Sequence, residues 1–196
     1  MKKIITFLFI IITICSTSVF AFEKKAETFV LETTKNAKSI ILDSSLNENQ
    51  KRTKLEKLAL DAVDVAGLAR YTLGEEAKNL SDKQISEFVS TFKIFFSKNI
   101  SNKLKDYSDQ NVNVVGSKKI SENYVLVDSK IVSTKDKQEI SVEWRVFLID
   151  NKLIIRDLVV EGLSLARTQR EEFSSIIANK GFAALIQSLK EYISKN

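Results

Sequence analysis

The sequence has no histidine, no proline and a single cysteine, Cys15, among its 196 residues. Each absence excludes something. Without histidine and with one thiol, Ser-His and Cys-His nucleophile pairs cannot be built, nor can zinc sites of imidazole and thiolate. One cysteine cannot close an intrachain disulfide, so stability has to come from burial, which a chain of this length can supply. Charge is nearly balanced: 30 basic against 25 acidic residues, a net of +5. That excess is too mild to indicate nucleic acid as a partner. A Ser-Lys pair or an all-carboxylate site stays open, but no spacing points to either.

What is present begins with a targeting pattern. Lys2 and Lys3 precede an apolar run, Ile4 to Ile14, and then small residues ending Val19-Phe20-Ala21. This predicts a secretory signal cleaved after Ala21, leaving residues 22–196 as one domain. The run is too short to span a bilayer, which takes about 20 residues. Cys15 follows Ile14 rather than a small residue, so it reads as part of the signal and not as a lipidation site. Taking Lys2 and Lys3 from the 30 basic residues leaves 28 against 25 acidic ones.

Helical periodicity runs from Glu23 to about Asp43, through Ala26, Phe29, Val30, Ala37, Ile40 and Ile41. A second helical stripe comprises Leu55, Leu58, Ala59, Ala62, Ala66 and Ala69, with Gly74 as its stop. Ser81-Asp82-Lys83-Gln84 has the form of a capping box and opens a helix to about Asp106. Phe88, Phe92, Phe95 and Phe96 lie on one broad face of it, as either packed core or the wall of a ligand cavity.

After Asp109 the period becomes two. Strands are predicted at Asn111–Gly116, Asn123–Ser133, Gln138–Asp150 and Lys152–Val160. In the third, Ile140, Val142, Trp144, Val146 and Leu148 point one way. Ser141, Glu143 and Arg145 point the other, with Phe147 and Ile149 making that face partly apolar. Asp150-Asn151 suits a tight hairpin turn, because both residues tolerate left-handed backbone. Two helices close the chain, Leu163–Asn179 and Phe182–Ser194, divided at Gly181. The fold class is α+β: a twisted antiparallel sheet of about four strands, packed by helices from both ends of the chain.

Val159-Val160-Glu161-Gly162-Leu163-Ser164, followed by Thr168-Gln169-Arg170, Glu172 and Phe173, resembles the signature of the MlaC (toluene-tolerance auxiliary) family. Arg70-Tyr71-Thr72-Leu73-Gly74, Val142-Glu143-Trp144-Arg145-Val146 and Ile155-Arg156-Asp157 fall in matching order. Two departures stand out: Glu75-Glu76-Ala77 follows the Leu-Gly pair, and Leu153-Ile154 precedes the Ile-x-Asp strand, where the family often carries aromatic residues. The resemblance implies a nuclear-transport-factor-like cone with an apolar cavity between sheet and helices. It implies a periplasmic phospholipid carrier rather than an enzyme, monomeric and without a cofactor or metal. Its partners would be phospholipid, an inner-membrane ABC transporter complex with a membrane-anchored lipid-binding subunit, and an outer-membrane lipoprotein complex.

On that reading, Phe88, Phe92, Phe96, Val127, Val142, Trp144 and Val146 contact acyl chains. Arg167 and Arg170 contact the head group or an acidic partner, although Arg167 could instead pair with Glu171 four residues on. An adaptor that carries no lipid and a lipid hydrolase are the competing functions.

Overall fold

A computed structural model describes residues 15–104 and 107–196, with side-chain environments from Ala21 onward. Most of the expected signal, including its apolar run, and the expected helix end at Asp106 lie outside the described residues. Six α-helices and a five-stranded sheet are present among them. α1 (Cys15–Leu42), α2 (Glu48–Ala62), α3 (Val65–Leu73) and α4 (Asp82–Leu104) precede the sheet. The strands are β1 (Gln110–Ser121), β2 (Tyr124–Ser133), β3 (Glu139–Ile149), β4 (Lys152–Val160) and a two-residue β5 (Leu163–Ser164). α5 (Leu165–Lys180) and α6 (Phe182–Lys195) follow.

The sheet is an antiparallel meander in chain order. Its central turn is as the sequence predicts, with Asp150 and Asn151 both at positive φ. β1 is longer than its alternation suggests. The register slips between Val114 and Gly116, so the apolar rhythm breaks where the strand itself continues. The chain also turns at Glu161-Gly162, where the sequence places a strand-to-helix turn and both residues have positive φ; the two-residue strand β5 that this turn adds to β4 is not anticipated by the sequence.

The second helical stripe is two helices rather than one. Val63 is extended and pairs in parallel with Ile155 of β4, and the Asp64 N–H donates to the Ile155 carbonyl at 3.0 Å. Asp64 then caps α3 by accepting from the Gly67 N–H at 2.9 Å. A tertiary strand contact thus overrides a helical pattern that runs on without interruption. The expected capping box of Ser81 with Gln84 forms at the start of α4, and a further one, Asn47 with Gln50, opens α2.

Two apolar clusters result. In the first, Ala26 and Val30 of α1 pack on the inner face of the sheet against Val125, Val127, Val142, Trp144, Val146 and Ile155. The second is made only of helices: Phe88 and Phe92 of α4 with Ala69, Leu73, Phe173, Leu185, Ile186 and Leu189. Val63 packs against both. The phenylalanine stripe therefore buries against α3, α5 and α6, not against the sheet.

α1 also covers the outer edge strand. The Glu23 carboxylate accepts from the Lys119 N–H at 2.7 Å, and the Ser117 hydroxyl donates to Glu27 at 2.8 Å. At the other end Lys38 donates to the Gln110 carbonyl at 2.9 Å. Such contacts satisfy backbone groups that an edge strand otherwise offers to other chains.

The Ser117 hydrogen bond, with a smaller contribution from Lys24, holds the Glu27 carboxyl below its ordinary pKa, against an opposing effect of burial. A depressed folded pKa means the contact stabilises above the unfolded value, about 4.3, and is lost as pH falls through the lower folded one. Side-chain NMR titration is expected to place the Glu27 midpoint below that of a free glutamate, and Ser117→Ala should return it towards normal. An unchanged midpoint in that variant would remove the assigned cause.

Candidate lipid-carrying core and the junction that shapes it

The site candidates separate into the two clusters. Val127, Val142, Trp144 and Val146 share the inner face of the sheet, each at most 8% exposed. The Trp144 indole N–H donates to Ser129 Oγ at 2.7 Å, and that hydroxyl donates to the Val142 carbonyl at 3.2 Å. The ring is thereby fixed with its apolar body against the α1 cluster, and its one polar atom is satisfied. Phe88 and Phe92 lie in the helical cluster, 0% and 1% exposed. Phe173 meets both edge-on, with centroids 5.9 and 6.1 Å away. Phe96 is half-buried and stacks on Phe92 at 6.1 Å. The seven apolar candidates thus form two walls, one on the sheet and one on α4, rather than one continuous lining.

The two arginines also part company. Arg167 is exposed and pairs with Glu171 at 2.9 Å. Arg170 turns inward, its guanidinium 5.3 Å from the Tyr71 ring centroid and close over Gly74. Two signature segments almost a hundred residues apart thus meet at one point, the turn after α3 and the first turns of α5. Gly74 adopts φ 58°, ψ −138°, a conformation only glycine holds at low cost, and the chain continues as a 3-10 helix, Gly74–Asn79. A Cβ there would come within 2.7 Å of Arg170 Nε. The side chain can swing away, so the backbone dominates the cost. Gly74→Ala is expected to destabilise by about 1–3 kcal/mol, measured by denaturant unfolding. A loss shared by Gly74→Ala and the double variant Gly74→Ala/Arg170→Ala would assign it to the backbone.

Sequence reasoning missed the carboxylate that holds this region together. Asp157 of β4 accepts from the Ser164 hydroxyl at 2.6 Å and from the Ala166 N–H at 2.9 Å, and pairs with Arg145 at 3.3 Å. Ser164 in turn caps α5 by accepting from the Arg167 N–H at 3.0 Å. The signal was present in the sequence: a serine at a helix start, seven residues after an aspartate across a tight turn.

On the outer face of the sheet Tyr124 and Phe147 stack with centroids 4.2 Å apart, and Arg156 lies 4.9 Å over Phe147 while pairing with Asp64 at 3.0 Å. This accounts for the partly apolar second face of β3.

A cavity of about 240 Å³ opens between the end of α1, the start of α2 and the end of α4. It is lined by Ile41, Glu48, Asn49, Lys51, Arg52, Leu55, Ser101 and Asn102, none of them a residue predicted for the site. Among the described residues no group of three or more carboxylate, thiol or imidazole side chains is placed to hold a metal ion. No helix among them is long and apolar enough to cross a membrane.

The chain was compared with known proteins. The MlaC protein family matches over residues 30–191. Among solved structures, the chain resembles a phospholipid-binding protein from Ralstonia solanacearum, solved in complex with a phospholipid. The TM-score is 0.73 at 17% identity, covering 87% of this chain and 97% of that one. At that identity the likeness shows a shared fold. No curated protein matches the sequence. The family match spans most of the chain, including the Asp157–Phe173 junction and the Gly74 turn that meets it, and the chain belongs to the MlaC protein family.

Proposed function

We propose that the protein is a periplasmic phospholipid carrier, exported with a signal removed after Ala21 and acting as the soluble domain 22–196. It would shuttle lipid between outer and inner membranes within an ABC-type envelope transport system that maintains outer-membrane lipid asymmetry. The observation that carries this reading is the fold shared with a protein solved in complex with a phospholipid, in a chain whose family match covers residues 30–191.

The energetics show why a carrier is needed. A diacyl lipid has on the order of 30 methylenes, each worth about 0.8 kcal/mol on leaving water, so the gross penalty for an unescorted lipid is about 25 kcal/mol. Tails inside a protein and tails inside a bilayer see similar surroundings. Exchange between the two is therefore close to balanced, and direction has to come from the membrane-bound partners.

In this reading the tails insert between the two apolar clusters. Val127, Val142, Trp144 and Val146 form one wall and Phe88, Phe92 and Phe96 the other, with Val63 at the point where the clusters meet. Arg167 and Arg170 lie at the start of α5, where a head group or an acidic partner could be met.

The chain has one tryptophan, Trp144, on the sheet wall. Phospholipid with brominated acyl chains is expected to quench its emission on binding, while unbrominated lipid leaves it bright. Binding of brominated lipid without quenching would place the tails elsewhere. One observation favours the adaptor as second reading: six of the seven tail candidates are already buried among other side chains.

A further inference from the structure

The cavity between α1, α2 and α4 belongs to neither apolar cluster, and its chemistry differs from theirs. Its floor is apolar at Leu55, 2% exposed. Its sides carry two cations, Lys51 and Arg52, and two carboxamides, Asn49 and Asn102. Glu48 is the one carboxylate in the lining among the described residues, and its side chain is 83% exposed.

The two cations are held differently. Arg52 is oriented: one terminal nitrogen donates to the Asn196 main-chain oxygen at 2.7 Å and the other to Asn49 Oδ1 at 3.1 Å. A guanidinium has five N–H donors in a fixed fork, so these two bonds leave three to present to an anion. Lys51 is largely sheltered, with 21% of its side chain exposed, and its carboxylate neighbour is the solvent-facing Glu48 at 3.5 Å. With its carboxylate partner in solvent and 3.5 Å away, this pair is weak. Asn102 Nδ2 donates to Asn196 Oδ1 at 3.0 Å, which fixes the opposite wall.

We propose that this cavity binds a small phosphate-bearing group, with Arg52 giving directional hydrogen bonds and Lys51 the second positive charge. Planar forks and point charges together suit a tetrahedral anion with several oxygens. The volume, about 240 Å³, falls below the ~300–1,000 Å³ typical of drug-sized ligand pockets. It therefore suits a phosphate ester with a few carbons rather than acyl chains. The same chemistry is presented by a soluble phosphate ester and by the head group of an anionic lipid at a bilayer surface. The proposal does not depend on whether lipid tails occupy the core.

The test is 15N NMR of the purified protein with three probes: inorganic phosphate, glycerol 3-phosphate and vesicles containing phosphatidylglycerol, with sodium chloride as the ionic-strength control. Lys51→Gln is the variant of choice, because its ion pair is peripheral and its loss leaves the Arg52 contacts in place. Saturable shifts confined to residues 48–55 and 101–102 with phosphate or its ester, at least tenfold weaker in Lys51→Gln, would support a soluble ligand. The same pattern seen only with vesicles would support a head group. Shifts equal to those from chloride, or binding unchanged in Lys51→Gln, would overturn the proposal. Co-purifying lipid, measured in parallel, is expected to be the same in wild type and Lys51→Gln, so failure here is distinguishable from failure of the carrier reading.

Discussion

Replacing Phe88 by alanine is expected to destabilise the protein by about 3–5 kcal/mol. Phe88 is completely buried and sits where four elements meet. Its ring approaches Phe92 at 5.7 Å, Phe173 of α5 edge-on at 5.9 Å and Phe182 of α6 at 6.4 Å. Truncation removes the transfer free energy of the ring and leaves a void that three separate helices would have to move to fill. At about 2–4 °C per kcal/mol for a chain of this size, the thermal midpoint should fall by on the order of 10 °C. Phe88→Leu keeps much of the volume and should lose clearly less. A loss below about 1 kcal/mol for Phe88→Ala would contradict the close packing of the ring among these helices.

The second large effect is expected at Asp157. Asp157→Ala removes the acceptor for the Ser164 hydroxyl and the Ala166 N–H and leaves Arg145 without this partner, although Glu143 remains at 3.5 Å. Hydrogen bonds to a charged group contribute about 1.5–3 kcal/mol and loss of a helix cap about 0.5–2, so a total of roughly 2–4 kcal/mol is expected. The asymmetry matters more than the sum, because the Asp157 side chain is 8% exposed and its partners are arranged around it. Hydrogen exchange should show the loss first in the opening turn of α5. Asp157→Asn, which keeps an acceptor, should lose less. Equal losses in both variants would assign the effect to charge rather than to the hydrogen bonds that tie β4 to α5.

These two positions show what could be read from the residues alone. Strand alternation gave the face of β3 correctly, since one side of it packs on α1 and the other carries Arg145 and Phe147. The turn at Asp150-Asn151 and the box at Ser81 and Gln84 depend on local chemistry and were legible for that reason. The break between α2 and α3 was not. No glycine or proline marks it, and its cause is Ile155, 92 residues after Val63 (155 − 63). The length of β1 was hidden by a register slip.

Membership of the apolar clusters was hidden in the same way. Phe88 and Val146 both read as inward-facing, but periodicity gives a face and not the element that covers it. Asp157 was read only as part of the Ile155-Arg156-Asp157 strand, because its role depends on a turn that folds Ser164 back onto it.

The most direct test of the carrier reading is mass spectrometry of an organic extract from the protein, purified without detergent. The account predicts intact phospholipid at close to one molecule per chain. A lipid-free extract, unchanged after incubation with phospholipid vesicles, would contradict it and leave the filled interior as that of a protein-binding adaptor.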